Sequence, residues 1–366
     1  MVRMKRKVLL SIFIVFIALL IWFLHKDVWN KWDAQKIYHE YNSAVCLIHA
    51  KYGYKVVVED EDYTARFFEI AGGSTAETIK SFEELDDGSV NLSSGLIEST
   101  GTAFFVREDG MMATCLHVVH PWLYDDGPDY LKRLEEIVKI TFRNSAKEGD
   151  TINRHIVNTL KVVGYLDSLW IVPNGVRDCP ESGCPCKLLY GDKSLDFYEK
   201  ATKISHNHNM DATIIQTTSG TLPSFVDKII ELDITSEWFE YDYESNIADS
   251  RIGETVYAIG YPYGISNATV IEEDRDSLLS SQIQNGIITQ YRGMFAFGHN
   301  IPSVPGMSGS PIFNKKGQLV GLHTSGYAGT TGVQGLNQGT SASILSSYLS
   351  EWDSYKESLK KTKKGN

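Results

Sequence analysis

The chain opens on an apolar run and then changes character. Val8–Leu24 is apolar except for Ser11, follows Arg3, Lys5, Arg6 and Lys7, and is near the lower length limit for spanning a bilayer. Trp29–Tyr41 suits a short helix, with Trp29, Trp32 and Ile37 among its apolar or aromatic positions. From residue 43 onward the pattern is one of short β-prone runs separated by turns. Ser43–Ile48 reads as the first strand. Gly101–Val106, a turn at Gly110 and Met112–Val119 read as strand, turn, strand, with His117 at the end of the second. Met210–Ile215 is another β-prone run, opened by Asp211, and Ile312-Phe313 leads through a turn at Asn314–Gly317 into Gln318–Gly326. Ile344, Leu345, Tyr348, Leu349, Trp352 and Tyr355 recur at helical spacing and predict a C-terminal helix with one apolar face. No internal repeat or low-complexity segment interrupts this order.

Two stretches exceed what these strands need. Residues 50–98 are acidic and polar, with Glu59–Asp62 and Glu83–Asp87, and predict a long hairpin followed by a mobile loop. Residues 121–205 contain a short helix at Tyr130–Val138 and a cysteine cluster. Long insertions of this kind act as lids or docking surfaces, and both roles stay open.

The candidate chemistry sits in Pro305-Gly306-Met307-Ser308-Gly309-Ser310-Pro311. A serine fenced by glycines and prolines presents its hydroxyl on a rigid turn. Gly306 tolerates backbone angles closed to other residues, so its N–H and that of Ser308 can form an oxyanion hole. A nucleophilic serine needs a base, and the base needs an orienting acid. His117 and Asp211 supply them, in the order His, Asp, Ser, which is one of the known orders. His120 is the rival base, and its plainer reading is a surface histidine after the strand. Asp192 and Asp196 are rival acids upstream of Asp211.

These segments resemble the trypsin-like serine proteases, most closely the bacterial branch of HtrA-type and glutamyl endopeptidases. The resemblance is carried by Gly101–Phe104, Thr114–Val118, Asp211–Ile215 and Gly306–Pro311, with Gly253–Pro262 and Gly286–Ile288 also fitting. Ala103 replaces the usual second glycine, and Leu116 stands where a small residue is usual. Ala212-Thr213 reverses the usual order after the aspartate. The resemblance implies an all-β fold of two antiparallel Greek-key six-stranded barrels. The site would lie in the cleft between them and a C-terminal helix would pack on the second. It implies Ser308 as nucleophile, His117 as general base and acid, and Asp211 as the group orienting the imidazole. No PDZ domain is expected after residue 350, and Tyr327–Thr340 is expected as a loop bordering the cleft.

The same resemblance gives an expectation for specificity. Glutamyl endopeptidases carry a histidine in the strand after the nucleophile, where this chain has His323 followed by Thr324, and Ser303 matches a hydroxyl residue of their pocket. An imidazole and a hydroxyl can hydrogen-bond a substrate carboxylate or amide. Cleavage after Glu is expected, with Gln or Asp as variants. Cleavage after small apolar residues, as in HtrA-type enzymes, is the alternative.

Charge and cysteines add limits. The net charge of −11 and pI near 5.4 disfavour nucleic acid, whose partners show a basic face. Cys46, Cys115, Cys179, Cys184 and Cys186 are odd in number, so at least one thiol stays unpaired in a monomer. A local bridge within the 179–186 cluster is one expectation. Cys46 and Cys115 either neighbour each other or are buried thiols. Zinc held by the cluster with His206 and His208 would follow no recognised spacing. Triad chemistry needs no metal or cofactor.

The expected organisation is a cytoplasmic tail (1–7), a transmembrane signal anchor (8–24) and a stalk or interfacial helix (25–42), whose plainest reading is a linker packed on the barrel. The protease domain follows (43–350, barrels at about 43–220 and 221–350), then a basic tail (351–366). A cleaved signal peptide is the alternative to the anchor, but no small-x-small site follows the apolar run. The expected function is a membrane-anchored, extracytoplasmic serine endopeptidase acting on proteins or peptides, its oligomeric state open. A catalytically silent, protease-like module that binds misfolded or partner proteins is the alternative.

Overall fold

The computed structural model describes residues 32–58, 61–62, 79–84, 90–123, 127–145, 158–175, 187–188, 211–217, 219–232, 250–264, 279–292, 295–326 and 336–364. Val8–Leu24, Cys179, Cys184, Cys186, Asp192, Asp196, His206 and His208 lie outside the described residues. Among the described residues, no helix is long and apolar enough to cross a membrane.

Helix α1 (Ala34–Tyr41) is capped by Asp33, whose carboxylate accepts the Lys36 N–H at 2.8 Å. Its Ile37 and Tyr41 are buried, and Tyr41 stacks on Phe313 at 4.7 Å between ring centroids. The helix is therefore docked on the protein body. Trp32 completes the contact, its N–H donating to the Lys315 carbonyl at 2.6 Å.

Strand β1 (Val45–Val58) is the spine of the first half. The other strands of that half are β2 (Glu61–Asp62), β3 (Ile79–Glu84), β4 (Val90–Ser94), β5 (Ile97–Phe105), β6 (Met111–Thr114), β7 (Leu160–Val172), β8 (Lys187–Leu188) and β9 (Thr213–Gln216). They form a nine-stranded sheet with the path β4-β3-β1-β5-β6-β9, to which β7 is joined through β1. β1 pairs antiparallel with β5 from Val45↔Phe104 to Tyr52↔Ile97, and with β7 from Leu47↔Val172 to Val58↔Leu160. The expected six-stranded first barrel is thus a larger sheet, and among the described residues it is not closed. The reason lies in β1, which runs on into the presumed insertion and keeps β7 paired along its full length. The hairpin expected in residues 50–98 is β3–β4.

Two helices interrupt this sheet: α2 (Leu116–Val119), a single turn after β6, and α3 (Gly127–Ser145). α3 covers a small apolar cluster of Tyr54, Val56, Trp122, Leu134, Val138, Leu160 and Val162. It extends the helix expected at Tyr130–Val138 in both directions.

The second half is a closed six-stranded barrel. Its strands are β10 (Thr255–Gly260), β11 (Gln282–Tyr291), β12 (Ala296–His299), β13 (Pro311–Asn314), β14 (Leu319–Gly326) and β15 (Asn337–Ser341). They close in the order β10-β11-β12-β15-β14-β13. Asn337–Ser341 is therefore a barrel strand, where the whole of Tyr327–Thr340 was expected as loop. Closure leaves no open edge in this half.

Helix α4 (Ala342–Lys364) runs from the barrel through the segment expected as a basic tail. Its Ile344, Leu345, Tyr348, Leu349 and Trp352 join one core cluster with Met111 and Ile215 of the first sheet and Leu319 and Leu322 of the barrel. It packs across both halves, where the barrel alone was expected. Arg107, after β5, fixes its outer turn through both carboxylate oxygens of Asp353, at 3.0 and 2.9 Å.

Candidate active site

His117 lies on α2 and not at the strand end, because β6 stops at Thr114 and the chain turns helical over Leu116–Val119. Leu116 and Val118 are buried and anchor that turn, which leaves the His117 side chain about a third exposed at 32%. Asp211 comes from the segment entering β9, the strand that pairs with β6 from Thr114↔Thr213 to Met111↔Gln216. The pairing of β6 with β9 is what brings acid and imidazole together across 94 residues of sequence.

The contact has two points. Asp211 Oδ2 lies 2.5 Å from His117 Nδ1, and Asp211 Oδ1 accepts the His117 backbone N–H at 3.0 Å. The carboxylate is 2% exposed. A buried carboxylate held this way fixes the tilt of the imidazole and favours the tautomer with the proton on Nδ1.

The loop carrying Ser308 leaves the barrel and is pinned to the first sheet. Thr102 of β5 donates its N–H to the Ser308 carbonyl at 2.7 Å and its hydroxyl to the Gly306 carbonyl at 2.8 Å. Thr114 of β6 in turn donates its hydroxyl to the Thr102 carbonyl at 2.8 Å. The loop is thus tied to the strand pair that carries His117. Gly306 and Gly309 have φ of +92° and +90°. A Cβ on Gly306 would stand 2.2 Å from the Tyr261 carbonyl oxygen, and one on Gly309 1.9 Å from that of Thr102. Both glycines are required by conformation and by space.

The amides of Met307, Gly309 and Ser310 donate to the carbonyls of Val304, His323 and Met307. Among the described residues, no backbone carbonyl accepts from the amides of Gly306 or Ser308. The Ser308 hydroxyl donates to the Thr324 carbonyl at 3.2 Å.

Beside the loop runs a chain of polar groups with a fixed direction. Ile301 N–H lies 3.2 Å from His299 Nδ1, His299 Nε2 lies 3.1 Å from His323 Nδ1, and His323 Nε2 lies 2.8 Å from Ser303 Oγ. A backbone N–H only donates, so His299 Nδ1 accepts and its proton sits on Nε2. The same reasoning places the His323 proton on Nε2, directed at Ser303. Burial holds both imidazoles neutral: it lowers His299 to about 4 and pushes His323 well below the ordinary value. Thr324, expected in the pocket, directs its hydroxyl at the Gln338 carbonyl, 3.0 Å away.

His120 is not the surface histidine expected of it. It is fully buried, packs edge-on against Trp122 at 5.1 Å, and desolvation lowers its pKa to about 3. His299 escaped the sequence reading altogether. The available signal was a histidine at the end of the run Ala296–His299, but only the pairing of β12 and β14 with β15 makes it a neighbour of His323. Cys115 was also missed as a neighbour of the acid. It and Cys46 are fully buried. Burial, followed by the Asp211 charge, raises the Cys115 thiol well above its ordinary pKa.

A family model described as a trypsin-like peptidase domain matches residues 191–322. Asp211 and Ser308 fall within the matched residues and His117 precedes them. No curated protein matches the chain. Among solved structures, a serine endoprotease from Yersinia pestis aligns at 11% identity and a TM-score of 0.40, covering 86% of this chain and 65% of that one. The HtrA-type protease AlgW with a decapeptide aligns at 14% identity and 0.41, covering 88% and 68%. AlgWS227A with a decapeptide aligns at 13% and 0.40, covering 86% and 64%. The chain thus spans about two thirds or slightly less of the length of these proteins.

Proposed function

We propose that this protein is a serine endopeptidase. Ser308 Oγ attacks the scissile carbonyl, His117 Nε2 takes its proton and returns it to the leaving amine, and Asp211 stabilises the imidazolium formed in between. The amides of Gly306 and Ser308 receive the oxyanion. For attack, the Ser308 hydroxyl turns from the Thr324 carbonyl to the imidazole. The observation that carries this reading is the two-point hold of Asp211 on His117, which orients the imidazole as a general base.

For specificity we favour Glu at the residue before the cut. The directed relay from Ile301 through His299 and His323 delivers a proton to Ser303 Oγ, leaving the Ser303 hydroxyl proton free to be given to an acceptor. A carboxylate placed there accepts from Ser303 and can draw the relay toward itself. The basic residues ahead of Val8–Leu24 and the lack of a small-x-small motif in His25–Trp29 after it support membrane anchorage with the peptidase domain outside the cytoplasm.

The test is digestion of an unfolded protein with the full-length chain, followed by sequencing of the new termini by mass spectrometry. New ends after Glu, absent with Ser308→Ala, are expected. New ends after Val or Ala would remove the specificity assignment. Capture of the unfolded protein with no new ends would favour a binding module.

A further inference from the structure

Cys115 takes no part in peptide hydrolysis, yet it stands beside the two residues that orient the base. One ligand atom from each of Cys115, His117 and Asp211 lies within 4.8 Å of the other two. We propose that these three side chains form an inhibitory site for a thiophilic divalent cation, Zn²⁺ in the first instance, which holds the hydrolase off by drawing His117 and Asp211 out of catalytic alignment. Only the inhibitory consequence rests on the endopeptidase reading; the metal site itself does not.

The donor set suits the ion. Imidazole nitrogen, carboxylate oxygen and thiolate sulfur are the three ligand types zinc uses, at about 2.0–2.3 Å. Tetrahedral neighbours then sit about 3.3–3.6 Å apart, inside the present limit of 4.8 Å. The closest pair, His117 Nδ1 and Asp211 Oδ2 at 2.5 Å, must open by about 1 Å, and that opening is what breaks the catalytic contact. Asp211 Oδ1 can stay on the His117 amide, so the outer support of the carboxylate survives the change.

Charge and protons balance. Asp211 ligates as the carboxylate. The neutral imidazole moves its proton from Nδ1 to Nε2, which also removes the lone pair needed as base. The Cys115 thiol, now donating to the His323 carbonyl at 3.2 Å, releases its proton to solvent. One carboxylate and one thiolate cancel the charge of the dication, so the filled site is neutral and the buried carboxylate charge of the empty site is compensated. Water supplies the fourth ligand, and the exposed edge of His117 is the way in.

The test uses the full-length protein in mild detergent under reducing conditions, with Co²⁺ as the spectroscopic probe and Zn²⁺ as the inhibitor. A thiolate-to-cobalt charge-transfer band is expected for the wild type. It should vanish in Cys115→Ala and in the near-isosteric Cys115→Ser, which keeps the test readable if the alanine variant unfolds. The band should persist in the triple variant Cys179→Ala, Cys184→Ala, Cys186→Ala. Fluorophosphonate labelling of Ser308 should be lost on adding Zn²⁺, and Cys115→Ser should need at least ten times more Zn²⁺ for the same loss. A band that survives Cys115→Ser, or that disappears with the triple variant, overturns the site. A Cys115-dependent band with labelling indifferent to Zn²⁺ overturns the inhibitory role. A Cys115-dependent band with no labelling under any condition supports the site and overturns the endopeptidase reading.

Discussion

Asp211 illustrates how much of a site depends on one buried group. Its two oxygens hold the amide and the ring of the same residue, so Asp211→Asn keeps the shape but favours the wrong imidazole tautomer. Steady-state kinetics of that variant should show kcat lowered ~10⁴-fold with KM little changed. Ser303→Ala removes the hydroxyl at the end of the relay. It should lower kcat/KM for a Glu substrate about 10- to 100-fold, since a hydrogen bond to a charged group is worth ~1.5–3 kcal/mol, and leave an Ala substrate unaffected. The His117–Asp211 contact was foreshadowed in the sequence because each residue, like Ser308, sits in a short motif with its own neighbours. His299 and Cys115 were not, because their significance depends on strands that meet only in the folded protein.

At the scale of elements, strands marked by alternating apolar residues and glycine turns were readable, and the departures share a cause. β1 continues past the point where its composition turns polar because β7 supplies a partner along its whole length. β15 lies in a glycine- and threonine-rich stretch that local propensity marks as loop, yet it forms because β12 and β14 pair with it on either side. Pairing overrode propensity in both places. Helix α1 makes the opposite point: its pattern was visible, packing on the barrel was one of its open readings, and Tyr41 on Phe313 is that contact. Ile37 is fully buried there, so Ile37→Ala should destabilise the protein by ~2–5 kcal/mol. Chemical denaturation should show this as a lower midpoint with an unchanged slope.

For the whole molecule, the buried histidines make stability depend on pH. His120, His299 and His323 are neutral in the folded state, with His120 lowered to about 3 and His299 to about 4. In the unfolded chain each titrates near the ordinary value of 6.5. Between these limits the unfolded state binds more protons, so stability rises with pH and is lost as pH falls below about 6.5. Each histidine adds a slope approaching ~1.4 kcal/mol per pH unit within that window. Melting temperature should therefore drop between pH 7 and pH 5, and a His120→Gln variant should show a shallower drop. The two halves of the molecule meet through α4 and through the bonds of Thr102 to the Ser308 loop, and the catalytic reading depends on that junction. It is tested most directly by fluorophosphonate labelling of the full-length chain beside Ser308→Ala and His117→Ala. Labelling of the wild type that is lost in both variants is the predicted result; a folded wild type that takes no label in metal-free buffer would contradict it.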